Sequence, residues 1–200
     1  MAEIKFTKNE LRDQQSKLNQ LSKYLPTLQL KKAMLQAQAA EVRQELIQLE
    51  KHFDLQEKKI DTYAGLFSQY IGIDPYDLAR VEEVKKRYEN IAGVEIPFFE
   101  GVQFKFIEYS LFDTPPWFDV AFQEVRHLME AKAKVSIAYE KKEAIEKELR
   151  EVSIRVNLFE KVLIPRCVEN IKKIKVFLGD QQLAAVSQAK VAKKKVLQNA

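Results

Sequence analysis

Apolar residues recur along the first third of the chain at alternating intervals of three and four. Steps of seven from Leu11 reach Leu18, Leu25, Lys32, Ala39, Leu46, Phe53, Ile60 and Phe67. Steps of seven from Gln14 reach Leu21, Leu28, Leu35, Val42, Leu49, Gln56, Tyr63 and Tyr70. Two ladders offset in this way form the seam of a coiled coil, and they predict one helix over residues 11–70, roughly 90 Å long at about 1.5 Å per residue. The string TKNEL supplies its start, with Thr7 as N-cap and Glu10 as the reciprocal partner of a capping box. Pro26 removes one backbone donor inside the ladder. Because Leu28 resumes the repeat in phase, the expectation is a kink in a continuous helix.

A second pair of ladders holds Val135, Lys142, Leu149, Val156 and Leu163 on one side and Ala131, Ala138, Ile145, Val152 and Phe159 on the other. It predicts a second long helix from about Trp117, capped by Thr114 with Pro115 or Pro116 in its first turn. Beyond Pro165 the apolar positions become Cys167, Ile171, Ile174 and Leu178. That displacement by four residues is a stutter, which locally unwinds a left-handed supercoil. Gly179-Asp180 predicts a loosening before the weakly apolar end at Leu183, Val186 and Val191.

Between the ladders the pattern changes. Gly72 as a stop and Asp74-Pro75 as a start predict a short helix through about Tyr88. Val94, Ile96 and Phe98, then Val102, Phe104 and Phe106, alternate around Glu100-Gly101, the signal of a β-hairpin with Pro97 at a sheet edge. An isolated hairpin is marginal in water, so its aromatic face must rest on a helix or on a partner. The predicted fold is all-α dominated: an antiparallel two-helix coiled coil of N- and C-terminal helices, with a short helix and a β-hairpin as a central excursion. The corresponding segments are 1–70, 71–117 and 118–200, the last ending in a basic tail. If Tyr70 is level with Phe118, paired positions total about 188 and Pro26 stands opposite roughly residue 162, near Pro165, so both helices bend at one height.

One apolar pattern lies off the seam. Leu30, Ala33, Met34 and Ala37 repeat at helical spacing on the outward face of the first helix, and Ile154 and Leu158 fall level with them. Such a stripe is read either as a docking site for another protein or as a crowded helix interface with a shifted register.

Composition narrows the function. Five glycines and six prolines in 200 residues suit few, long elements, and 31% charged residues of interleaved sign with a net charge of +4 do not indicate a nucleic-acid binder. The run Lys193-Lys194-Lys195 reads as a solubilising tail. With one cysteine, Cys167, no intrachain disulfide forms, and the absence of a long apolar run or a signal-peptide core predicts a cytoplasmic protein that does not insert into the membrane. His52 and His127 are far apart, Gly93 and Gly101 belong to no phosphate-cradling loop, and the carboxylates sit among lysines at helical spacing. No catalytic, cofactor-binding or metal-binding residue is therefore expected.

Three strings resemble a known family, the central-stalk D-subunits of rotary V-type or A-type ATPases and ATP synthases. RVNLFEKVLIPRCVENIKKIKVFL at residues 155–178 is similar to its R-V-N-A-L-E-x-x-x-I-P-x-x-x-x-x-I-x-x-I pattern at Arg155, Val156, Asn157, Glu160, Ile164, Pro165, Ile171 and Ile174. TKNEL resembles the T-[RK]-x-x-L opening, and IAGVEIPFFE resembles the V-A-G-V-x-[LI]-P arm. Where the family shows G-H-x-L-L-K-x-K-R-D-E-L, residues 24–35 keep Leu28, Lys31, Lys32 and Leu35 but gain Pro26, as in a divergent bacterial member. The resemblance implies a non-catalytic rotor shaft that transmits torque between ATP synthesis or hydrolysis in a soluble head and proton or sodium transport by a membrane rotor. Its partners would be the catalytic and regulatory head subunits, the small central-stalk subunit and the subunit connecting to the membrane rotor. It would be peripheral to the membrane through the complex. Candidate docking residues are then Leu30, Met34, Ile154 and Leu158 for the small subunit, and Phe98, Phe104 and Phe106 on the hairpin. The alternative is a free-standing coiled-coil adaptor or membrane-surface scaffold.

Overall fold

The computed structural model describes residues 5–62, 64–66, 80–106, 112 and 114–198. Its elements are α1 (Lys8–Asp61), β1 (Val81–Ile91), β2 (Val94–Phe104), α2 (Phe118–Leu158), one π-helical turn (Phe159–Leu163) and α3 (Ile164–Gln198). They form two compact units, residues 1–32 with 151–200 and residues 33–150. α1 ends at Asp61, short of the expected Tyr70, with residues 62 and 64–66 in turns; Tyr63, Phe67, Tyr70, Gly72 and the Asp74-Pro75 start lie outside the described residues.

α1 begins with half of the expected capping box: the Thr7 amide donates to the Lys5 carbonyl and not to Glu10. The Thr7 hydroxyl accepts the Glu10 amide at 3.2 Å, satisfying one of the orphan donors of the first turn. The Glu10 carboxylate accepts from the Gln14 side chain at 2.9 Å. Gln14 therefore occupies a buried seam position with a polar partner of its own. The helix continues unbroken through Pro26, and every ladder position from Leu11 to Ile60 is buried or half-buried.

Within residues 33–150, Leu35, Ala39, Val42 and Leu46 of α1 are buried, as are Ala131, Ala138 and Ile145 of α2. Each large aliphatic side chain withdrawn from water this way contributes about 1.5–3 kcal/mol. Three polar pairs bridge the two helices. Arg43 meets Glu146 at 2.7 Å, Glu45 meets Lys141 at 2.8 Å, and the Tyr139 hydroxyl donates to Glu50. Paired residue numbers total 189, 186 and 189, so the helices are antiparallel and within two residues of the register the sequence predicts. Within the other unit, Val152, Val156, Cys167, Asn170 and Ile174 are buried, and the Phe6 ring lies 5.0 Å from that of Phe177, a total of 183.

The stutter has a visible consequence. Inward positions run Val152, Val156, Phe159, Leu163, Cys167, Asn170 and Ile174, with two intervals of four in succession. In an α-helix four residues over-rotate a full turn by about 40°, so consecutive fours swing the seam away from its partner. The turn from Phe159 to Leu163 winds less per residue, with the Ile164 amide donating to the Phe159 carbonyl, and takes up that drift. Pro165, next in line, has no amide to return the ladder at once to the α pattern.

Two expectations for the middle of the chain are corrected, and one for the end. Residues 81–91 form a strand, not the end of a short helix, and the hairpin turn is Ala92-Gly93, not Glu100-Gly101. Both turn residues have positive φ, 53° and 80°, the requirement of a two-residue turn that matches strand twist. The Asn90 side chain accepts the Gly93 amide at 2.9 Å and braces the turn. Ala92 bears a steric cost there that Asn or Gly would avoid, so the turn lacks the usual Asn-Gly signal. Glu100 is instead the extra residue of a bulge between the pairs Lys86↔Phe99 and Lys85↔Gly101. Glu82 is a second, between Val81↔Phe104 and Glu83↔Gln103. That bulge turns Val81 and Val84, three apart, toward one groove and so mimics helical spacing. Finally, α3 passes through Gly179-Asp180 without loosening, because one interior glycine weakens a helix without ending it.

Gly179 has open space where a Cβ would stand, so Gly179→Ala raises stability by about 0.5–1 kcal/mol, read as a higher denaturant midpoint. Electrostatics makes a second prediction. The hydrogen bond from Arg43, against desolvation and with help from the charges of Arg43, Lys142 and Arg150, holds the Glu146 carboxyl below its ordinary value. A lowered carboxyl pKa stabilises the fold above the ordinary carboxylate range, and that stabilisation is lost as pH falls through the folded value. The melting-temperature gap between the native chain and Glu146→Gln closes accordingly on acidification, a trend checked by thermal melts from neutral to acidic pH.

Candidate partner-docking surfaces

The hairpin is seated by α2 through three cations. Arg126 stacks 5.2 Å from the Phe104 ring centroid and 4.0 Å from that of Phe122, Lys134 lies 5.1 Å from Phe99, and Lys141 lies 4.3 Å from Phe98. As the α2 numbers rise, the β2 numbers fall. The fifteen residues from Arg126 to Lys141 rise about 22 Å along a helix, and the six from Phe104 to Phe98 span about 20 Å along a strand. The second half of β2 therefore runs alongside α2, held at its Phe104 end and near the middle of the strand at Phe98 and Phe99. Lys86 of β1 adds an ion pair to Glu140 at 2.7 Å.

This packing buries a second face of α2 away from the seam. Ile137 is buried, and with Lys134, Ala138 and Lys141 it lines a cleft of about 190 Å³ under Pro97, Phe98 and Phe99, closed by Glu45 and Leu49 of α1. The Lys141 side chain is only 10% exposed; its ammonium is tolerable there because Glu45 and the Phe98 ring both face it. Sequence reading placed Lys142 on the seam and left Lys141, Lys134, Arg126 and Phe99 unremarked. A signal was present: cations at intervals of eight and seven share one helix face, opposite a phenylalanine-rich strand.

Of the hairpin candidates, Phe98 and Phe104 are thus half-buried against α2, whereas Phe106 is 81% exposed. The off-seam candidates fall in both units. In the first, Leu30 of α1 and Ile154 and Leu158 of α2 are 63%, 66% and 43% exposed, and Val162 in the π-helical turn, not anticipated from sequence, is exposed beside them in the chain. In the second, Met34 is 48% exposed. Large apolar side chains left in water at this density are unusual unless something covers them. From Asp180 onward every described side chain of α3 is exposed, including Leu183, Val186 and Val191. Among the described residues, no helix is long and apolar enough to cross a membrane, and no cluster of three His, Cys, Asp or Glu side chains is placed to hold a metal ion.

Similarity to known proteins is extensive. The family of ATP synthase D-subunits matches residues 10–194. The V-type ATP synthase D-subunit of Chlamydia abortus is 40% identical over 198 residues, 98% of this chain and 95% of the relative. That of Chlamydia trachomatis serovar L2 is 41% identical over 199 residues, 99% and 98% of the two chains. That of Chlamydia pneumoniae is 40% identical over 195 residues, 97% and 93%.

The exposure pattern predicts opposite outcomes for two charge insertions on α2. Ile154→Asp with Leu158→Asp leaves the unfolding free energy within about 0.5 kcal/mol of the native chain, because both side chains already stand in water. Ile145→Asp, at a fully buried position, costs at least about 4 kcal/mol and abolishes the folded state in a circular-dichroism melt.

Proposed function

The chain belongs to the ATP synthase D-subunit family, and on that premise we propose that it is the non-catalytic central rotor shaft of a V-type ATP synthase or ATPase. It carries torque between ATP synthesis or hydrolysis in the soluble head and proton or sodium transport by the membrane rotor. It works in the cytoplasm, held at the membrane only through the complex. The observation that carries the reading is the family match along nearly the whole chain. The antiparallel seam supports it physically, since two helices locked along a shared seam resist twisting better than one helix alone.

The partners follow from where apolar surface remains. The exposed end of α3 offers Leu183, Val186 and Val191 to the catalytic and regulatory head subunits. Leu30, Ile154 and Leu158 in one unit are proposed as docking residues for the small stalk subunit, and Met34 in the other unit is proposed as a docking residue for the same subunit in its own right. Just past β2, the exposed Phe106 is the proposed aromatic contact for the subunit that connects to the membrane rotor, with the half-buried Phe98 and Phe104 contributing less surface. The shaft contributes shape and surface to the reaction and no reacting group: a rotor presenting different faces to otherwise equivalent catalytic sites holds them in different states.

Co-expression with the ATPase head subunits tests the reading. Tagged chain should purify in an assembly that hydrolyses ATP, and persistent failure to enter such an assembly sinks the proposal. Within that assembly, Met34→Asp with Leu158→Asp should lose the small stalk subunit while keeping native helicity; retention of that subunit removes these residues from the dock.

A further inference from the structure

We propose that the β1–β2 hairpin is a strap: a cooperative unit that opens and closes on α2 independently of the coiled coil, held shut by the charges of Arg126, Lys134 and Lys141. Three observations converge on it. Among the described residues the hairpin is a sheet of two strands, too small to be stable in water by itself, so its order depends on what it lies against. Its contacts with α2 include cation-on-aromatic stacking at Phe104, Phe99 and Phe98 and the Lys86–Glu140 pair, with Ile96 and Pro97 as its buried residues. The cleft between Phe98, Phe99 and Ile137 remains open at about 190 Å³, and a larger groove of about 390 Å³ runs between Val81, Val84 and Lys86 and the α2 side chains Met129, Ala133 and Ile137. Apolar burial between hairpin and α2 is thus concentrated at Ile96, Pro97 and Ile137, with clefts on either side that the charged side chains border.

Each cation also has a partner outside the hairpin. Lys141 pairs with Glu45, Lys134 pairs with Glu130 at 2.8 Å, and Arg126 lies over the Phe122 ring of its own helix. When the hairpin lifts, these three cations keep their other partners, and the Lys86–Glu140 pair that separates is partly exposed to water, which lowers the cost of opening. Opening uncovers Ile137 and the stem of Lys141, an apolar strip on α2 that is hidden while the strap is shut. Opening of the strap is thus a sub-global event, distinct from unfolding of the helices.

The inference concerns the chain itself and stands whether or not the shaft reading holds. Hydrogen exchange on the full-length protein tests it. Amides paired between β1 and β2 should exchange faster than seam amides of α1 and α2 in the native chain. Arg126→Met with Lys134→Met keeps the aliphatic stems, removes two charges that take no part in the cross-helix pairs, and should accelerate hairpin exchange about tenfold or more with seam exchange unchanged. Arg126→Lys with Lys134→Arg, which keeps both charges, should leave hairpin exchange at native rates. Two results would overturn the strap: hairpin amides that exchange only with the seam, as one global unit, or a methionine variant that protects the hairpin as well as the charge-keeping variant does, which would make the contact one of packing alone. Assembly with the head subunits is a separate readout, so failure there bears on the shaft reading and leaves the exchange result intact.

Discussion

The fold depends on a single constraint: an apolar stripe along a 54-residue helix has nothing within that helix to cover it. A compact domain distributes its burial among many elements, but a stripe of this kind requires a second stripe of matching period. α2 and α3 supply it within their respective units, and the cross-helix pairs from Arg43–Glu146 to Tyr139–Glu50 follow from the register so fixed. The polar seam residues show how strict the demand is. Gln14 is accommodated by a hydrogen bond to Glu10, whereas the buried side-chain oxygen of Gln56 has no hydrogen-bond partner among the described residues, a cost the surrounding seam must offset.

Where the repeat fails, the backbone adapts. Two successive intervals of four at Phe159, Leu163 and Cys167 cannot remain inward on a regular α-helix, and the chain answers with one wider turn. Pro165 reinforces that choice by withholding a donor. Pro26, by contrast, sits in a stretch whose ladder stays in phase, and α1 passes it without interruption. The two prolines differ in effect because their neighbourhoods differ in phase, not because of the residue itself.

The hairpin obeys a different logic. Two strands carry too little buried area to stand alone, so α2 must provide a second buried face, and it does so with lysines and an arginine in place of a wholly apolar strip. Long cationic side chains serve here as hydrophobic stems with charged tips that aromatic rings can accept. In the proposed shaft this leaves the seam to bear twist and the surface to select partners, which is consistent with a chain whose candidate sites are exposed apolar residues and not titrating groups.

The periodic parts were legible from the residues alone. The ladders located both long helices, the antiparallel register came within two residues of the cross-helix pairs, the stutter marked the place of the wider turn, and the off-seam residues Leu30, Met34, Ile154 and Leu158 are indeed in water. Period is a local property, and a helix that packs along its whole length reports it faithfully. The middle was not legible in the same way. Val81, Val84 and Tyr88 carry helical spacing, yet form a strand because the bulge at Glu82 resets the alternation and a partner strand is available. The turn fell at Ala92-Gly93, whose strained alanine no turn rule favours, because the pairing of β1 with β2 outweighs that local cost. The roles of Lys141, Lys134 and Arg126 were decided only by tertiary contact: a lysine on a helix surface looks the same in sequence whether water or a phenylalanine ring lies opposite.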